Sequence, residues 1–278
     1  MKGWRFAFSR RWLGYLGLVV AFAIACTALS MWQLARRDEA RAEIERVETN
    51  WDAAPRPVDD VLGDLEAFDA DDKWVSVTMT GHYLVDEQVL ARGRPMDGNP
   101  GFAVVVPFEL DDGRVFVIDR GWVPAGNEQD APDEIPAAPE GEVTVVARLK
   151  AGEPTIAGRS APEGQIASIH LPDIAERVGE PTFTGAYGLM ASEDPAPATR
   201  PAAAAKPVPD EGPHLSYAFQ WLVFGIMAFI ALGWAVRQEF RARNADDPAE
   251  RERAEARRRK AEKKAPSDAE VEDALLDR

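Results

Sequence analysis

Residues 13–32, LGYLGLVVAFAIACTALSMW, form a stretch of twenty residues without a charge, and residues 217–236, YAFQWLVFGIMAFIALGWAV, form a second. At 1.5 Å per residue, a helix of this length spans roughly 30 Å, the thickness of the hydrocarbon core of a bilayer. Aromatic rings near the ends of both stretches are typical of membrane interfaces. Both are therefore predicted to be transmembrane helices, with two buried core helices of a soluble protein as the alternative.

The charges are distributed in three blocks around these two stretches. The chain of 278 residues has a net charge of −15 and a mean hydropathy of −0.28, but both values are averages. Residues 1–37 contain six basic and no acidic residues, residues 38–217 contain 14 basic and 35 acidic residues, and residues 237–278 contain twelve of each. Basic flanks predict cytoplasmic termini and an extracytoplasmic central part, in a multi-pass protein of the plasma membrane. The acidic balance argues against nucleic-acid binding.

The first apolar stretch also has features of a processed leader. Arg10 and Arg11 resemble a twin-arginine signal, Ala25 offers a cleavage site, and Cys26 offers a lipoprotein acceptor. The apolar stretch continues to Trp32, however, and is longer than the core of a signal peptide, so a retained span is expected. As the single cysteine, Cys26 excludes an intramolecular disulfide and a cysteine-rich metal site.

Small residues at positions 17, 21 and 25 form one face of the first predicted helix. Gly17, Ala21 and Ala25 recur at every fourth position, a spacing that suits close packing of membrane helices. We therefore expect the two spans to pair along this face.

The region between the spans alternates in a way that favours β-structure. Six stretches rich in β-branched and aromatic residues predict strands, and one short helix fits residues 173–178. The predicted fold class is a membrane protein with two transmembrane α-helices and an extracytoplasmic α+β domain dominated by an antiparallel β-sheet, as a small barrel or sandwich. The predicted strands are residues 74–83, 88–92, 102–110, 114–119, 142–149 and 182–190.

Composition divides the chain into seven segments. The polar segment after the first span is rich in Ala, Glu and Arg and predicts a helical extension. The Pro/Ala-rich segment before the second span predicts a semi-rigid spacer, and the C-terminal tail a solvated helix or disordered segment, with contact to anionic lipid as the alternative. The segments are residues 1–12 (cytoplasmic N-terminus), 13–34 (first span), 35–58 (polar extension), 59–193 (β-rich domain), 194–213 (linker), 214–236 (second span) and 237–278 (cytoplasmic tail).

The residues offer little catalytic chemistry. His82, His170 and His214 are too far apart in the sequence to suggest a zinc site. The sequence contains no glycine-rich phosphate loop, nucleophile elbow or Cys–His pair. We therefore expect a protein that is not an enzyme.

His214 is the most informative histidine, because it lies at the start of the second predicted helix. Helical spacing places it in one stripe with Tyr217, Ala218, Trp221 and Gly225. The stripe presents an imidazole at the outer interface, aromatic flanks, and a glycine that lets something flat approach the backbone. An imidazole is a suitable axial ligand for haem iron. The spacing alone favours the alternative, a His–Tyr–Trp interfacial anchor that binds no ligand.

Three blocks of sequence resemble the signatures of the Surfeit locus protein one family. The resemblance extends from about residue 12 to residue 236, and Arg94-Pro95 with Gly98-Asn99-Pro100-Gly101 adds to it. The three blocks, in the family's order, are Met31-Trp32-Gln33-Leu34-Ala35-Arg36, Asp119-Arg120-Gly121-Trp122-Val123-Pro124 and His214-Leu215-Ser216-Tyr217-Ala218-Phe219-Gln220-Trp221.

This resemblance implies an assembly factor for haem-copper cytochrome c oxidase that binds haem a and assists its insertion into the catalytic subunit. It implies His214 as the haem iron ligand. Arg36, Arg37 and Arg120 can meet haem propionates if the outer domain folds onto the membrane. The expected partners are oxidase subunit I, other assembly or haem a synthesis proteins, and the lipid bilayer. The predicted cofactor-binding residues are His214, Tyr217, Trp221, Gly225 and Arg120.

Two rival interpretations remain open from the sequence. The protein can be a structural scaffold that stabilises an oxidase intermediate without haem, or an enzyme or sensor with an outer ligand-binding domain. For Arg120 the alternative role is structural, in a strand-end turn where Gly121 supplies unusual dihedral angles and Trp122 packs against the barrel.

Overall fold

The structure, a computed structural model, describes residues 3–127 and 130–262. The chain divides into two compact units, which are described separately. The first, called the helical unit, comprises Met1–Glu39 and Gly212–Arg278, and the second, called the barrel unit, comprises Ala40–Glu211.

Two long apolar helices dominate the helical unit. Helix α1 runs from Arg10 to Asn50, and its residues up to Glu39 belong to this unit. Both α1 and the helix that begins at His214 are long and apolar enough to cross a membrane. In the most apolar 18-residue stretch of each helix, only 11% and 6%, respectively, is buried. Such exposure is unlike that of core helices in a soluble protein, so the two predicted spans fit the structure better than that alternative.

The face of α1 that packs against the second long helix differs from the predicted one. Cys26 and Ser30 are buried, whereas Gly17, Ala21 and Ala25 are exposed, and nothing lies within 4 Å of a side chain built at Gly17. The prediction of a Gly17–Ala21–Ala25 packing face was therefore wrong. Cys26 and Ser30 are also small. The pairing of the two helices that buries them also brings Gln33 of α1 next to His214, as described in the next subsection.

Among the described residues, the barrel unit contains eight strands and one short helix, and the helical unit contains a second long helix followed by a helix of medium length. The elements are β1 (Arg56–Pro57), β2 (Ser76–Tyr83), β3 (Val89–Ala91), β4 (Gly101–Leu110), β5 (Val115–Pro124), β6 (Val143–Ala151), β7 (Gln165–Ile166), α2 (Leu171–Val178), β8 (Ala186–Asp194), α3 (His214–Arg243) and α4 (Pro248–Glu262), with 3₁₀ turns at Trp4–Phe8, Val58–Asp60, Ala70–Asp72 and Val85–Glu87.

Five of the strands close into a barrel. The pairing order is β2, β6, β8, β5 and β4, and β4 also pairs with β2, which completes the circle. All of these pairs are antiparallel except β5 with β8, which is parallel. The interior is filled by fully buried side chains such as Phe108, Phe116 and Leu149. The predicted small, mainly antiparallel β-domain is thus a barrel.

All six predicted strands are present, with shifted ends. The first begins at Ser76 because Trp74 has a left-handed backbone (φ 72°) that does not fit a strand. β5 continues to Pro124 and β8 to Asp194, beyond the predicted ends at 119 and 190. Strands β1 and β7 have two residues each, too short to show a pattern in the sequence.

The polar extension of α1 ends earlier than predicted. The helix stops at Asn50 instead of reaching residue 58, and Arg56–Pro57 pairs with β2 as a short parallel strand. Within the barrel unit, Glu43 of α1 accepts hydrogen bonds from Lys73 Nζ (2.5 Å) and from Trp74 Nε1 (3.0 Å). Burial raises the pKa of Glu43, but these two donors outweigh it and the pKa is lowered.

The Pro/Ala-rich segment is more ordered against the barrel than a simple spacer. Ala202 exchanges two backbone hydrogen bonds of 2.8 Å with Trp122, and Lys206 forms an ion pair with Asp52 at 2.6 Å. The segment was predicted as a semi-rigid spacer with no packed core, and the pairing with the end of β5 adds a tertiary contact to that prediction. Residues 263–278 of the predicted tail lie outside the described residues, and residues 248–262 form α4.

Candidate functional site

His214 is the first residue of α3. It follows Gly212, whose φ of +65° is left-handed, and Pro213, which caps the helix without a side-chain hydrogen bond. Gly212 turns the chain and Pro213 cannot donate, so the helix begins abruptly at the histidine. The imidazole is therefore placed at the very start of the second apolar helix.

Gln33 of α1 holds the His214 ring. Nδ1 of His214 lies 2.8 Å from Oε1 of Gln33, and both residues belong to the helical unit. An amide oxygen only accepts hydrogen bonds, so Nδ1 carries the proton and donates it. The remaining nitrogen, Nε2, then has a free lone pair, which is the arrangement that metal-binding histidines use.

The surroundings of Nε2 leave it available. Among residues 3–127 and 130–262, no hydrogen-bond partner of Nε2 is found. A Cβ atom built on Gly212 would lie 3.2 Å from Nε2, so the absence of a side chain at position 212 leaves room beside this nitrogen.

The structure separates the predicted stripe into two groups. Ala218 and Gly225 are buried and Trp221 is half-buried, whereas Tyr217 is 47% exposed. A Cβ atom built on Gly225 would lie 3.6 Å from Cβ of Cys26 in α1. The expectation that Gly225 opens the helix to something flat is corrected, because α1 itself takes up that space.

Arginines follow Gln33 on α1. Arg36 donates to Glu39 at 2.7 Å, lies over the ring of Trp32, and has a half-exposed side chain. Arg37 lies one turn after Gln33 and is partly buried. Both are candidates for contact with an anionic group near Gln33 and the start of α3.

Arg120 has a different environment from the one predicted for a haem contact. It is the extra residue of a β-bulge, since Val104 pairs with Gly121 and Val105 pairs with Asp119. A bulge changes the direction of a side chain. The guanidinium of Arg120 is buried in the barrel, where it pairs with Glu193 at 2.9 Å.

All three guanidinium nitrogens of Arg120 donate hydrogen bonds inside the barrel unit. The side chains of Arg120 and Glu193 are 0% and 1% exposed, and Tyr83 donates to Glu193 at 2.8 Å. Arg120 also donates to the carbonyl oxygens of Pro136 (3.0 Å) and Ala137 (3.2 Å). This arrangement favours the structural role over contact with haem propionates, because the guanidinium is fully buried and already paired with Glu193.

The turn-like features expected around Arg120 are present, but inside β5 and not at its end. Gly121 has φ +129°, and a Cβ atom there would lie 2.4 Å from the carbonyl oxygen of Ala202. Trp122 donates from Nε1 to the carbonyl oxygen of Arg94 at 2.6 Å. Position 121 lies against the segment that contains Ala202, and only glycine fits there.

The roles of Gln33, Tyr83 and Glu193 were not predicted from the sequence. A polar residue at the end of an apolar helix is expensive in lipid and is a signal that could have singled out Gln33. Glu193 was placed at the edge of the linker, and no local pattern connects it to Arg120. In the part of the chain that the structure describes, no group of three or more His, Cys, Asp or Glu residues is placed to hold a metal ion.

Comparisons with known proteins agree with the resemblance to the Surfeit locus protein one (SURF1) family that the three signature blocks of the sequence suggest. The profile of the SURF1 family matches residues 20–226. An uncharacterized SURF1-like protein of Mycobacterium tuberculosis is 36% identical over 246 residues, which cover 86% of this chain and 89% of the relative. The cytochrome oxidase assembly protein SHY1 of Saccharomyces cerevisiae is 32% identical over 124 residues, covering 42% of this chain and 30% of SHY1. A SURF1-like protein of Dictyostelium discoideum is 25% identical over 114 residues, covering 38% of this chain and 41% of that protein.

Proposed function

The chain belongs to the SURF1 family, and we propose that it is an assembly factor for haem-copper cytochrome c oxidase that binds haem a through His214. The similarity to the yeast cytochrome oxidase assembly protein supports the first part of this proposal. The hydrogen bond between His214 and Gln33 carries the second part, because it leaves Nε2 with a free lone pair.

His214 and Gln33 together fit the requirements of an axial haem ligand. Bound haem a would supply an iron centre that accepts a neutral imidazole nitrogen. Gln33 fixes the tautomer and the orientation of the ring, which makes the imidazole a better defined ligand. Arg36 and Arg37, on the same helix, supply positive charge suited to propionate groups.

We place the protein in the plasma membrane with both termini in the cytoplasm. Arg10 and Arg11 precede the apolar part of α1, and Arg241 and Arg243 end α3. Positive residues at these positions favour cytoplasmic ends, so the barrel unit and His214 lie on the outer side. The partners in this scheme are oxidase subunit I and the proteins that make or deliver haem a.

The direct test is a haem spectrum of the purified protein. The chain is co-expressed with haem a biosynthesis, purified in detergent, and compared with His214→Ala. We expect wild-type protein to retain haem a and the variant to lose most of it. His82→Ala is the matched control, since His82 is an exposed histidine paired with Glu109 on the barrel. Full haem a in the His214→Ala protein would remove His214 as the ligand.

One observation favours a scaffold that does not carry haem. The buried face of α3 at Gly225 is already covered by Cys26 and Ala23 of α1, so the interhelical surface offers no open slot there. Under this second proposal the protein stabilises an oxidase intermediate through protein contacts alone. Wild-type protein that is purified without haem a, yet together with oxidase subunits, would favour the scaffold over the haem carrier.

A further inference from the structure

A pocket of about 520 Å³ in the barrel unit is lined by three arginines, and no role has been assigned to it. We infer that it binds an organic carboxylate with an apolar body. The arginines are Arg92, Arg94 and Arg159, and Phe102 and Ser160 also line the pocket. This inference does not depend on haem binding at His214.

The two arginines of the β3–β4 connection are presented by a rigid hairpin. Met96 and Asn99 exchange backbone hydrogen bonds of 3.0 and 2.9 Å, and the two residues between them, Asp97 and Gly98, are both left-handed (φ 50° and 79°). Two such residues form a tight hairpin turn. Arg94 is tied further by a hydrogen bond from its N–H to the carbonyl oxygen of Gly101. A ligand therefore meets a preformed wall and does not have to order it.

The guanidinium groups differ in how far they are already used. Arg94 is held by Glu153 through two bonds of 2.8 and 2.5 Å, but its Nε is buried and has no hydrogen-bond partner among the described residues. Arg92 forms an ion pair with Asp130. Arg159 is exposed, and within residues 3–127 and 130–262 its guanidinium has no partner. The pocket thus keeps the Arg159 guanidinium as a donor for an incoming anion, and the exposed pair of Arg92 with Asp130 can open to supply a second one.

The charge of the pocket is opposite to that of its surroundings. Among the described residues, three arginines and one acidic residue, Asp130, line it, and Arg94 is in addition paired with Glu153. Residues 38–217, which surround the pocket in the sequence, contain 35 acidic and 14 basic residues. The side chain of Asp130 is 68% exposed, so its ion pair with Arg92 contributes little to stability. A ligand carboxylate can therefore replace the Asp130 carboxylate, which acts as an internal competitor.

The remaining lining explains why an inorganic ion is a poor match. Pro95, Pro100, Phe102, Ala125 and Ala167 form apolar walls around the arginines. A volume of about 520 Å³ lies in the range of pockets that hold small organic ligands. A carboxylate group can pair with arginine bidentately while an attached ring or chain covers the apolar walls. The shared chemistry is a carboxylate on an apolar body, from a free organic acid or from an acidic peptide.

The test is calorimetric titration of the full chain in detergent with naphthalene-2,6-dicarboxylate. Naphthalene-2,6-dimethanol, which has the same ring without charge, and inorganic phosphate, which has charge without a ring, are titrated in parallel. We expect the dicarboxylate to bind at least tenfold more tightly than either, and its affinity to fall with rising salt. A capped peptide with two glutamates around a tryptophan is titrated as a further probe. If the peptide binds more tightly than the free acid, the ligand is an acidic polypeptide. If the free acid binds more tightly, the ligand is a small molecule.

Substitutions in the pocket should change the affinity in both directions. Arg159→Gln and Arg92→Gln should each weaken dicarboxylate binding about tenfold, the effect of losing one hydrogen bond to a charged group. Asp130→Asn should tighten binding, because the internal competitor is removed. Arg200→Gln is the matched control: Arg200 is an exposed arginine of the same unit that does not line the pocket.

Three results would overturn the inference. The first is wild-type protein that does not bind the dicarboxylate, and the second is equal binding of phosphate or of the neutral diol. The third is an Arg159→Gln protein and an Arg92→Gln protein that both bind with wild-type affinity. Arg94 is left unchanged in these variants because its replacement would leave Glu153 without its ion-pair partner.

Discussion

Gln33 gives His214 its chemical character. The distance of 2.8 Å between Gln33 Oε1 and His214 Nδ1 is that of a good hydrogen bond. Without this acceptor the ring can rotate, and either nitrogen can carry the proton. A role for Gln33 as a positioning residue follows from the geometry of the helical unit alone.

We predict that Gln33→Leu weakens haem a binding by about 10- to 100-fold while His214 is still present, a typical effect of losing the outer partner of a metal-bound histidine. The measurement is haem a titration into purified protein in detergent, followed by the Soret band. Gln33→Glu, which restores an acceptor, should recover binding. Gln220→Leu is the control, since Gln220 is exposed on α3. Equal affinities of the Gln33→Leu and wild-type proteins would contradict the positioning role.

Asp119 is an acidic residue in a poorly solvated place within β5. Burial raises its pKa to about 6, against the opposing effects of the Gly121 N–H, which donates to it at 3.0 Å, and of the positive charges of Arg94 and Lys150. The negative charge of Glu153 raises the pKa further. A carboxyl group with a raised pKa is more easily ionised in the unfolded chain. Its stabilising contribution is therefore present below about pH 4 and is lost as the pH rises through about 6.

Because the pKa of Asp119 is raised, the difference in stability between wild-type protein and Asp119→Asn should depend on pH. The asparagine side chain cannot ionise but keeps an oxygen for the Gly121 N–H, so we expect the variant to gain stability relative to wild type as the pH rises from about 4.5 to about 7.5. At 1.36 kcal/mol per pKa unit, the shift from 3.8 to about 6 amounts to about 3 kcal/mol in total, of which about 2 kcal/mol is gained within this pH range. Melting temperatures of both proteins in detergent across this pH range give the difference, in which the other carboxyl groups cancel. A constant difference over the whole range would contradict the raised pKa.

At the scale of elements, the ion pair between Arg120 and Glu193 connects strands β5 and β8. These strands lie side by side and parallel, with Ile118 opposite Gly188 and Asp119 opposite Leu189. The bulge in β5 places Arg120 in the interior, and the extension of β8 to Asp194 carries Glu193 to meet it. Burial and the carboxylate together raise the pKa of Tyr83, which keeps that side chain a hydrogen-bond donor.

Removing only one charge of this pair should lower the free energy of unfolding much more than removing both charges. Glu193→Gln leaves the Arg120 charge buried without a counter-ion, and we expect the free energy of unfolding to fall by about 3–5 kcal/mol. The double variant Arg120→Met with Glu193→Leu should recover most of that loss. Denaturant unfolding of the full chain in detergent, followed by tryptophan fluorescence, measures both.

A matched control for this cycle is Glu87→Gln, which breaks the partly exposed ion pair between Glu87 and Arg177. It should change the free energy of unfolding by less than about 1 kcal/mol. If Glu193→Gln were as mild as Glu87→Gln, the interior pair would not have the role given to it here.

The sequence predicted the elements better than their contacts. Twenty-residue apolar stretches and β-branched runs identify helices and strands from local composition, and this is why both spans and six strands were found. Asp119-Arg120-Gly121 looked like a strand end because two charges and a glycine are unusual inside a strand, yet the bulge accommodates them. The pairing of Arg120 with Glu193 and of Gln33 with His214 joins residues far apart in the chain, which no local pattern reveals.

At the scale of the whole molecule, the arrangement of basic residues predicts the sides of the membrane on which the parts lie. The single native cysteine makes this testable, because Cys26→Ser gives a cysteine-free chain. Val208→Cys, at an exposed position of the barrel unit, should react with a membrane-impermeant maleimide in intact cells. Ala256→Cys, at an exposed position of α4, should react only after the cells are permeabilised. The reverse pattern would contradict cytoplasmic termini.

The position of β8 in the barrel has a consequence for the time course of synthesis. This strand is the last of the five barrel strands along the chain, yet it lies between β6 and β5 in the circle. Until the ribosome has produced residues up to Asp194, β5 and β6 each expose an unpaired edge and Arg120 lacks its counter-ion. Exposed edges invite pairing with other chains. The growing chain therefore passes through a period of vulnerability to aggregation that ends only when its final strand enters the gap.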